Sequence, residues 1–83
     1  MKRVLITGGT GFVGSNFVYR FLDLGFDVNL LVRPESNFWR IEEIKNKIRL
    51  HYIDLANKEE TENLIKKLKP QIILHFATYG AYL

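Results

Sequence analysis

The chain has 83 residues, 47% of them hydrophobic and 25% charged, with a formal net charge of +3. That length limits it to one domain with a modest core, and the composition excludes a disordered or fibrous chain. The absence of cysteine excludes a disulfide framework and a thiolate metal site; no apolar run approaches the roughly 20 residues of a bilayer span, and no signal-peptide apolar region opens the chain, so a cytoplasmic protein without a membrane partner is expected.

In chain order, "KRVLITG" (residues 2–8) is a β-branched and apolar run ending in glycine, suited to a strand buried on both faces. The period then changes. From Phe12 to Leu24, Phe17, Val18, Phe21 and Leu22 form one helical stripe, Gly14 lies on the same face, and Gly25 stands where a C-terminal cap glycine belongs. "DVNLLVRP" (27–34) is the second strand, closed by Pro34. Phe38, Ile41 and Ile44 predict a short helix over 37–46, and "IRLHYID" (48–54) is the third strand. Asn57, with Glu60 three residues on, opens a capping box and an amphipathic helix that uses Leu64, Ile65 and Leu68 and stops at Pro70. Lys66, Lys67 and Lys69 read as the solvated basic end of that helix rather than as a nucleic-acid patch. "QIILHFA" (71–77) is the fourth strand. The alternation predicts a parallel α/β sheet with helices on both faces and right-handed crossovers.

Four of the six glycines fall between residues 8 and 14, where the first strand gives way to the first helix. Unsatisfied N–H groups and the positive end of a helix dipole meet there, which suits a pyrophosphate. Gly8 is placed to make the tight turn, Gly11 to let the backbone approach phosphate oxygens, and Gly14 to let the helix press on the sheet. By spacing alone the string parses through either Gly8 or Gly9 as its first glycine.

"VLITGGTGFVGSNFVYRFLDLGFDV" resembles the opening of the extended short-chain dehydrogenase/reductase family, which comprises nucleotide-sugar epimerases, dehydratases and reductases. Thr7, Gly8, Gly11 and Gly14 match its T-G-x-x-G-x-x-G fingerprint, and the match selects Gly8, Gly11 and Gly14 as the motif glycines. "YIDLAN" resembles the segment whose aspartate, here Asp54, meets the adenine. "ILHFATYGAYL" resembles the H-x-A-A segment, with Thr78 in place of the second alanine. The resemblance implies a Rossmann-like doubly wound parallel sheet, truncated to about four strands in the order 3-2-1-4 with three helices. It implies a cofactor-binding set of Gly8, Thr10, Gly11, Phe12, Val13, Gly14, Arg33, Ser36, Asp54, Leu55, Phe76, Ala77 and Thr78.

The cofactor follows from the end of the second strand. An acidic side chain about 20 residues on takes the ribose hydroxyls of NAD, whereas an arginine accommodates the extra phosphate of NADP. Arg33 lies nineteen residues after Gly14, so NADP is expected, with NAD the alternative through Glu35. Ser36 either donates to the same phosphate or caps a following helix. Asp54 either meets the adenine or satisfies turn amides. His51 and His75 read as core histidines, Trp39 and the phenylalanines as core, and Tyr19 as packed or solvent-facing.

In the resembled family the chemistry rests on a Y-x-x-x-K pair, and none of Tyr19, Tyr52, Tyr79 and Tyr82 has a lysine at that spacing. The expectation is the N-terminal cofactor-binding part, residues 1–83, of an epimerase, dehydratase or reductase, with the catalytic pair and substrate domain outside it. It would bind dinucleotide without turnover and meet a nucleotide sugar only within a full-length parent. The alternative is a non-catalytic NAD(P)-sensing or interaction module. An apolar fourth strand at an open edge predicts self-association.

Overall fold

The computed structural model of the protein describes residues 1–77; Thr78, Tyr79 and Tyr82, singled out above, lie outside them. Strand β1 (Arg3–Thr7) leads into helix α1 (Phe12–Asp23), β2 (Asp27–Val32), a 3₁₀ segment (Trp39–Lys47), β3 (Arg49–Tyr52), helix α2 (Lys58–Leu68) and β4 (Ile72–His75). All neighbouring strands are parallel, in the order β3-β2-β1-β4, so the expected Rossmann-like sheet is found.

Alternation along the strands explains the layers. Val4 and Ile6 of β1 and Val28, Leu30 and Val32 of β2 point to one face, where Val18 of α1 and Ile41 and Ile44 of the 3₁₀ segment bury them. Leu5 and Leu31 point to the other, where Leu64, Ile65 and Leu68 of α2 cover them. With a helix layer on both faces, β1 reads as a continuous apolar run and is buried along Val4–Thr7.

Helix α1 ends as its sequence predicts. Gly25 takes φ +84°, the Phe26 N–H donates to the Phe21 carbonyl, and the Gly25 N–H donates to the Leu22 carbonyl, so the last carbonyls are satisfied by a left-handed residue that glycine adopts without strain. At the start of α2 the Asn57 Oδ1 accepts from the Glu60 N–H at 3.1 Å, and the Asn57 amide donates to the Glu60 carboxylate at 2.8 Å. Lys66, Lys67 and Lys69 are exposed beyond it.

Three expectations are corrected. The segment expected as a helix over 37–46 is 3₁₀, broken by a non-helical Ile41; Phe38, Ile41 and Ile44 recur every three residues, the 3₁₀ period, and not at the mixed three and four of an α-helix. Trp39, Phe12 and Phe17 are not core: they are exposed, Phe12 and Phe17 because the α1 face that meets the sheet is the one carrying Gly14 and Val18, and Trp39 because it lies off the row of Phe38, Ile41 and Ile44. His75 is not a core histidine either. It is exposed on β4, the edge strand of the described sheet.

His51 is half-buried and does have a partner: its Nε2 lies 2.9 Å from the Oδ1 of Asn29, which is fully buried in β2. Because the Asn29 amide nitrogen donates to the Asp27 carbonyl, Oδ1 is the acceptor and His51 Nε2 the donor. Tyr19 packs against the core, and its hydroxyl donates to the Arg40 carbonyl at 3.3 Å.

Candidate functional site

The sheet order reverses between β1 and β4, and the crevice beyond the carboxyl ends of strands at such a point is where doubly wound folds hold ligands. The first residue that shapes this crevice is Thr7, the last of β1. Its carbonyl accepts from the Phe76 N–H at 2.9 Å and its Oγ1 accepts from the Ala77 N–H at 3.2 Å. The same hydroxyl is hydrogen-bonded to His75 Nδ1, 2.6 Å away. One buried hydroxyl thus ties the end of β1 to the end of β4.

The turn that follows is built by missing side chains. Gly8 sits at φ +72°, and a Cβ there would lie 2.6 Å from the Ala77 nitrogen and 2.7 Å from the Phe76 carbonyl carbon. A Cβ on Gly14 would be driven into the Gly8 carbonyl oxygen, so α1 can approach β1 only without one. Gly9 has a requirement of its own: a Cβ there would lie 2.7 Å from Leu30 Cδ2, inside the core. Gly11 differs from all three. The nearest atom to its missing Cβ is the Gly8 oxygen at 3.4 Å, so fold packing does not demand a glycine there.

Gly11 is also the N-cap of α1. It has no side chain to cap the helix, and no acidic residue occupies the first turn. The Gly11 N–H is used by the Gly8 carbonyl, and the Gly11 carbonyl accepts from Ser15. The N–H groups of Phe12, Val13 and Gly14 are those that an α-helix cannot satisfy internally, and they carry the positive end of its dipole.

Beside this turn is a cleft of about 290 Å³ lined by Gly8, Gly9, Thr10 and Gly11 from the loop, Leu31, Val32, Arg33 and Ser36 from β2 and its exit, Leu55 after β3, and Phe76 and Ala77 after β4. Its size lies at the small end of ligand sites. Of the residues named from sequence as cofactor-binding, the structure brings Gly8, Thr10, Gly11, Arg33, Ser36, Leu55, Phe76 and Ala77 to this cleft. Gly14 is buried behind it, and Phe12 and Val13 are exposed on the first turn of α1. Asp54 is also outside the lining; its Oδ1 accepts from the Ala56 N–H at 3.0 Å, the turn-amide contact. Gly9, Leu31 and Val32 were not legible as lining residues, since nothing in a buried strand's apolar run marks where it opens into a cleft.

Ser36 does not cap the following segment. Its Oγ accepts from the Arg33 N–H at 3.1 Å, and its own N–H donates to the Arg33 carbonyl at 3.0 Å, closing a tight turn around Pro34 and Glu35. The 3₁₀ segment is met instead by Asn37, whose Oδ1 accepts from the Trp39 N–H. The Arg33 Nε lies 3.6 Å from a Glu35 carboxylate oxygen, with both side chains exposed.

The family model described as GDP-mannose 4,6 dehydratase matches residues 5–81. This chain belongs to that family. The kinship with the extended short-chain dehydrogenases/reductases expected from the fingerprint therefore holds. A UDP-glucose 4-epimerase of Cyamopsis tetragonoloba is 32% identical over 84 residues, covering 92% of this chain and 24% of that protein. Among solved structures, the Thermus thermophilus UDP-glucose 4-epimerase in complex with NAD is 30% identical with a TM-score of 0.76, covering 95% of this chain and 25% of that one. The Bacillus anthracis dTDP-glucose 4,6-dehydratase in complex with NAD is 27% identical with a TM-score of 0.79, covering 95% and 27%. The chain thus spans about a quarter of the length of the curated relatives it matches. Among the described residues no helix is long and apolar enough to cross a membrane.

Proposed function

We propose that this chain is the dinucleotide-binding part of a nucleotide-sugar epimerase, dehydratase or reductase, and that its cleft takes NADP(H). The observation that carries the reading is the Gly11 position: an N-cap with no side chain and no packing demand for a glycine, next to a helix start that holds no acidic residue. A pyrophosphate is the ligand class for which such a backbone is useful, because N–H groups and the helix dipole act on it directly. The residues present fit the group.

Arg33 supports NADP over NAD. It lines the cleft at the end of β2, where a guanidinium can hold a 2′-phosphate through two N–H groups. The Ser36 hydroxyl accepts from the Arg33 backbone, which leaves its proton to donate into the cleft. NAD is the second reading; it is favoured by Glu35, which is close to Arg33 and within ion-pair distance of it, and the two solved relatives are complexes with NAD.

The nicotinamide, when bound, supplies hydride transfer. This chain's part is to bind and orient it; the sequence contains no Y-x-x-x-K pair, so turnover and the sugar substrate belong, in this reading, to the whole protein. Calorimetric titration with NADPH and NADH is the test. The chain is expected to bind NADPH more tightly, and Arg33→Ala to lose about tenfold or more for NADPH and little for NADH, as a charge-assisted contact is worth roughly 1.5–3 kcal/mol. Equal binding of the two by the unaltered chain would sink the NADP assignment, and no binding of either would sink the site.

A further inference from the structure

A second arginine, outside the lining itself, is bonded to the loop that lines the cleft from an element that the glycine fingerprint does not include. Arg40, on the 3₁₀ segment, is half-buried, and its Nη1 donates to the Thr10 carbonyl at 3.3 Å. Thr10 is a cleft-lining residue of the glycine turn. The guanidinium carbon stands 4.5 Å from the centroid of the Trp39 ring, and the Arg40 backbone is held from the other side by the Tyr19 hydroxyl. Stacking on an indole face fixes the plane of a guanidinium and leaves its edge donors outward. The contact also gives the exposed Trp39 ring a role that burial does not.

The charge distribution is uneven. Arg33 has the Glu35 carboxylate beside it, whereas no carboxylate forms an ion pair with Arg40 among the described residues. A guanidinium has five N–H donors, and Thr10 takes one of them. An arginine held over an aromatic ring, tethered to the cleft's own loop and without an ion pair among the described residues is arranged to receive an anion that arrives with the ligand.

We propose that Arg40 is a specificity-determining residue for the 2′-phosphate of the adenosine moiety, acting with Arg33 and the Ser36 hydroxyl. A phosphate monoester carries about −1.5 to −2 charges near neutral pH. One guanidinium shared with Glu35 leaves that charge almost unopposed, and a second one offsets at least about half of it. The inference rests on the reading of the cleft as an NADP(H) site, and the probes below separate the two.

Adenosine 2′,5′-bisphosphate and adenosine 5′-phosphate differ only in the group in question. The unaltered chain is expected to bind the first more tightly. Arg40→Gln is expected to lose roughly tenfold to a hundredfold for the bisphosphate and less than about threefold for the monophosphate. A parallel measurement needs no variant: phenylglyoxal labelling of the unaltered chain, mapped by peptide mass, should be blocked at Arg40 by the bisphosphate and not by the monophosphate. Equal weakening of both probes by Arg40→Gln would make Arg40 a loop clamp only and overturn the proposal. So would labelling of Arg40 that the bisphosphate leaves unchanged. If Arg33→Ala abolishes the preference while Arg40→Gln keeps it, the cleft reading stands and Arg40 alone fails. If the unaltered chain shows no preference, the cleft reading fails first and takes this inference with it.

Discussion

The glycines of the first turn are four different requirements, and single substitutions should separate them. Gly14→Ala puts a methyl group into the Gly8 carbonyl, and overpacking of that kind costs about 1–3 kcal/mol; in so small a domain it should show as a marked loss of thermal stability by circular dichroism. Gly11→Val adds its branches where packing is open, so it should fold with at most about 1 kcal/mol lost at the cap and bind no dinucleotide. A folded Gly11→Val that still binds NADPH would move the phosphate site elsewhere. The requirements of Gly8, Gly11 and Gly14 were readable because they belong to one local motif. That of Gly9 was not, as the atom that forbids its Cβ belongs to Leu30, on another strand. The Thr7 link to His75 and Ala77 was hidden for the same reason, its partners lying 68 and 70 residues away.

His51 makes a residue-scale prediction in pH. Burial, then the positive charges of Arg49 and Lys67, hold its imidazole below the usual value of 6.5, against a smaller opposing effect of Asp27. The folded state therefore takes the proton at lower pH than the unfolded state, which takes it near 6.5. The stabilisation is present above about pH 6.5 and is lost as the pH falls from there through the folded value. His51→Gln keeps an N–H for the Asn29 Oδ1 and does not titrate. Its melting temperature should thus fall less steeply below pH 6.5 than that of the unaltered chain, and parallel slopes would remove His51 as the cause.

At the level of elements, helix ends were the most legible part of the sequence because caps are local chemistry. Asn57→Ala should cost about 1 kcal/mol in denaturant unfolding, as it removes the acceptor for Glu60. The other end of α2 runs the opposite way. Lys69 sits at φ +49°, a left-handed conformation that favours glycine, so Lys69→Gly should stabilise by about 0.5–1 kcal/mol; an unchanged midpoint would show that the Lys69 conformation relaxes at no cost. The 3₁₀ segment was legible as a helix and not as its type, though the three-residue spacing of Phe38, Ile41 and Ile44 was the available signal. Trp39 faces outward while Ile41 faces the core because, at three residues per turn, Trp39 lies off the row formed by Phe38, Ile41 and Ile44.

On the scale of the molecule, a parallel sheet was legible from alternation, its order from the family resemblance and its open edge from the apolar fourth strand, while the exposure of His75 on that edge was not. β4 pairs with β1 on one side; Ile73 is 49% exposed and His75 is exposed too. An apolar edge of this kind is a template for a further strand. We expect the isolated chain to self-associate at micromolar concentration, and Ile73→Lys to return it to a monomer in sedimentation. A monomeric unaltered chain would show that the edge needs no cover.

The bond from Thr7 to the end of β4 also sets an order of events during synthesis. The glycine turn leaves the ribosome well before two of the groups that brace it, the N–H of Ala77 and the ring of His75, which emerge almost seventy residues later. Closing so long a loop is slow compared with forming either helix. Between those two points the chain carries the glycine sequence without its β4 brace, and a nascent chain stopped before Ile72 would have every motif glycine but none of the bonds from Phe76, Ala77 and His75.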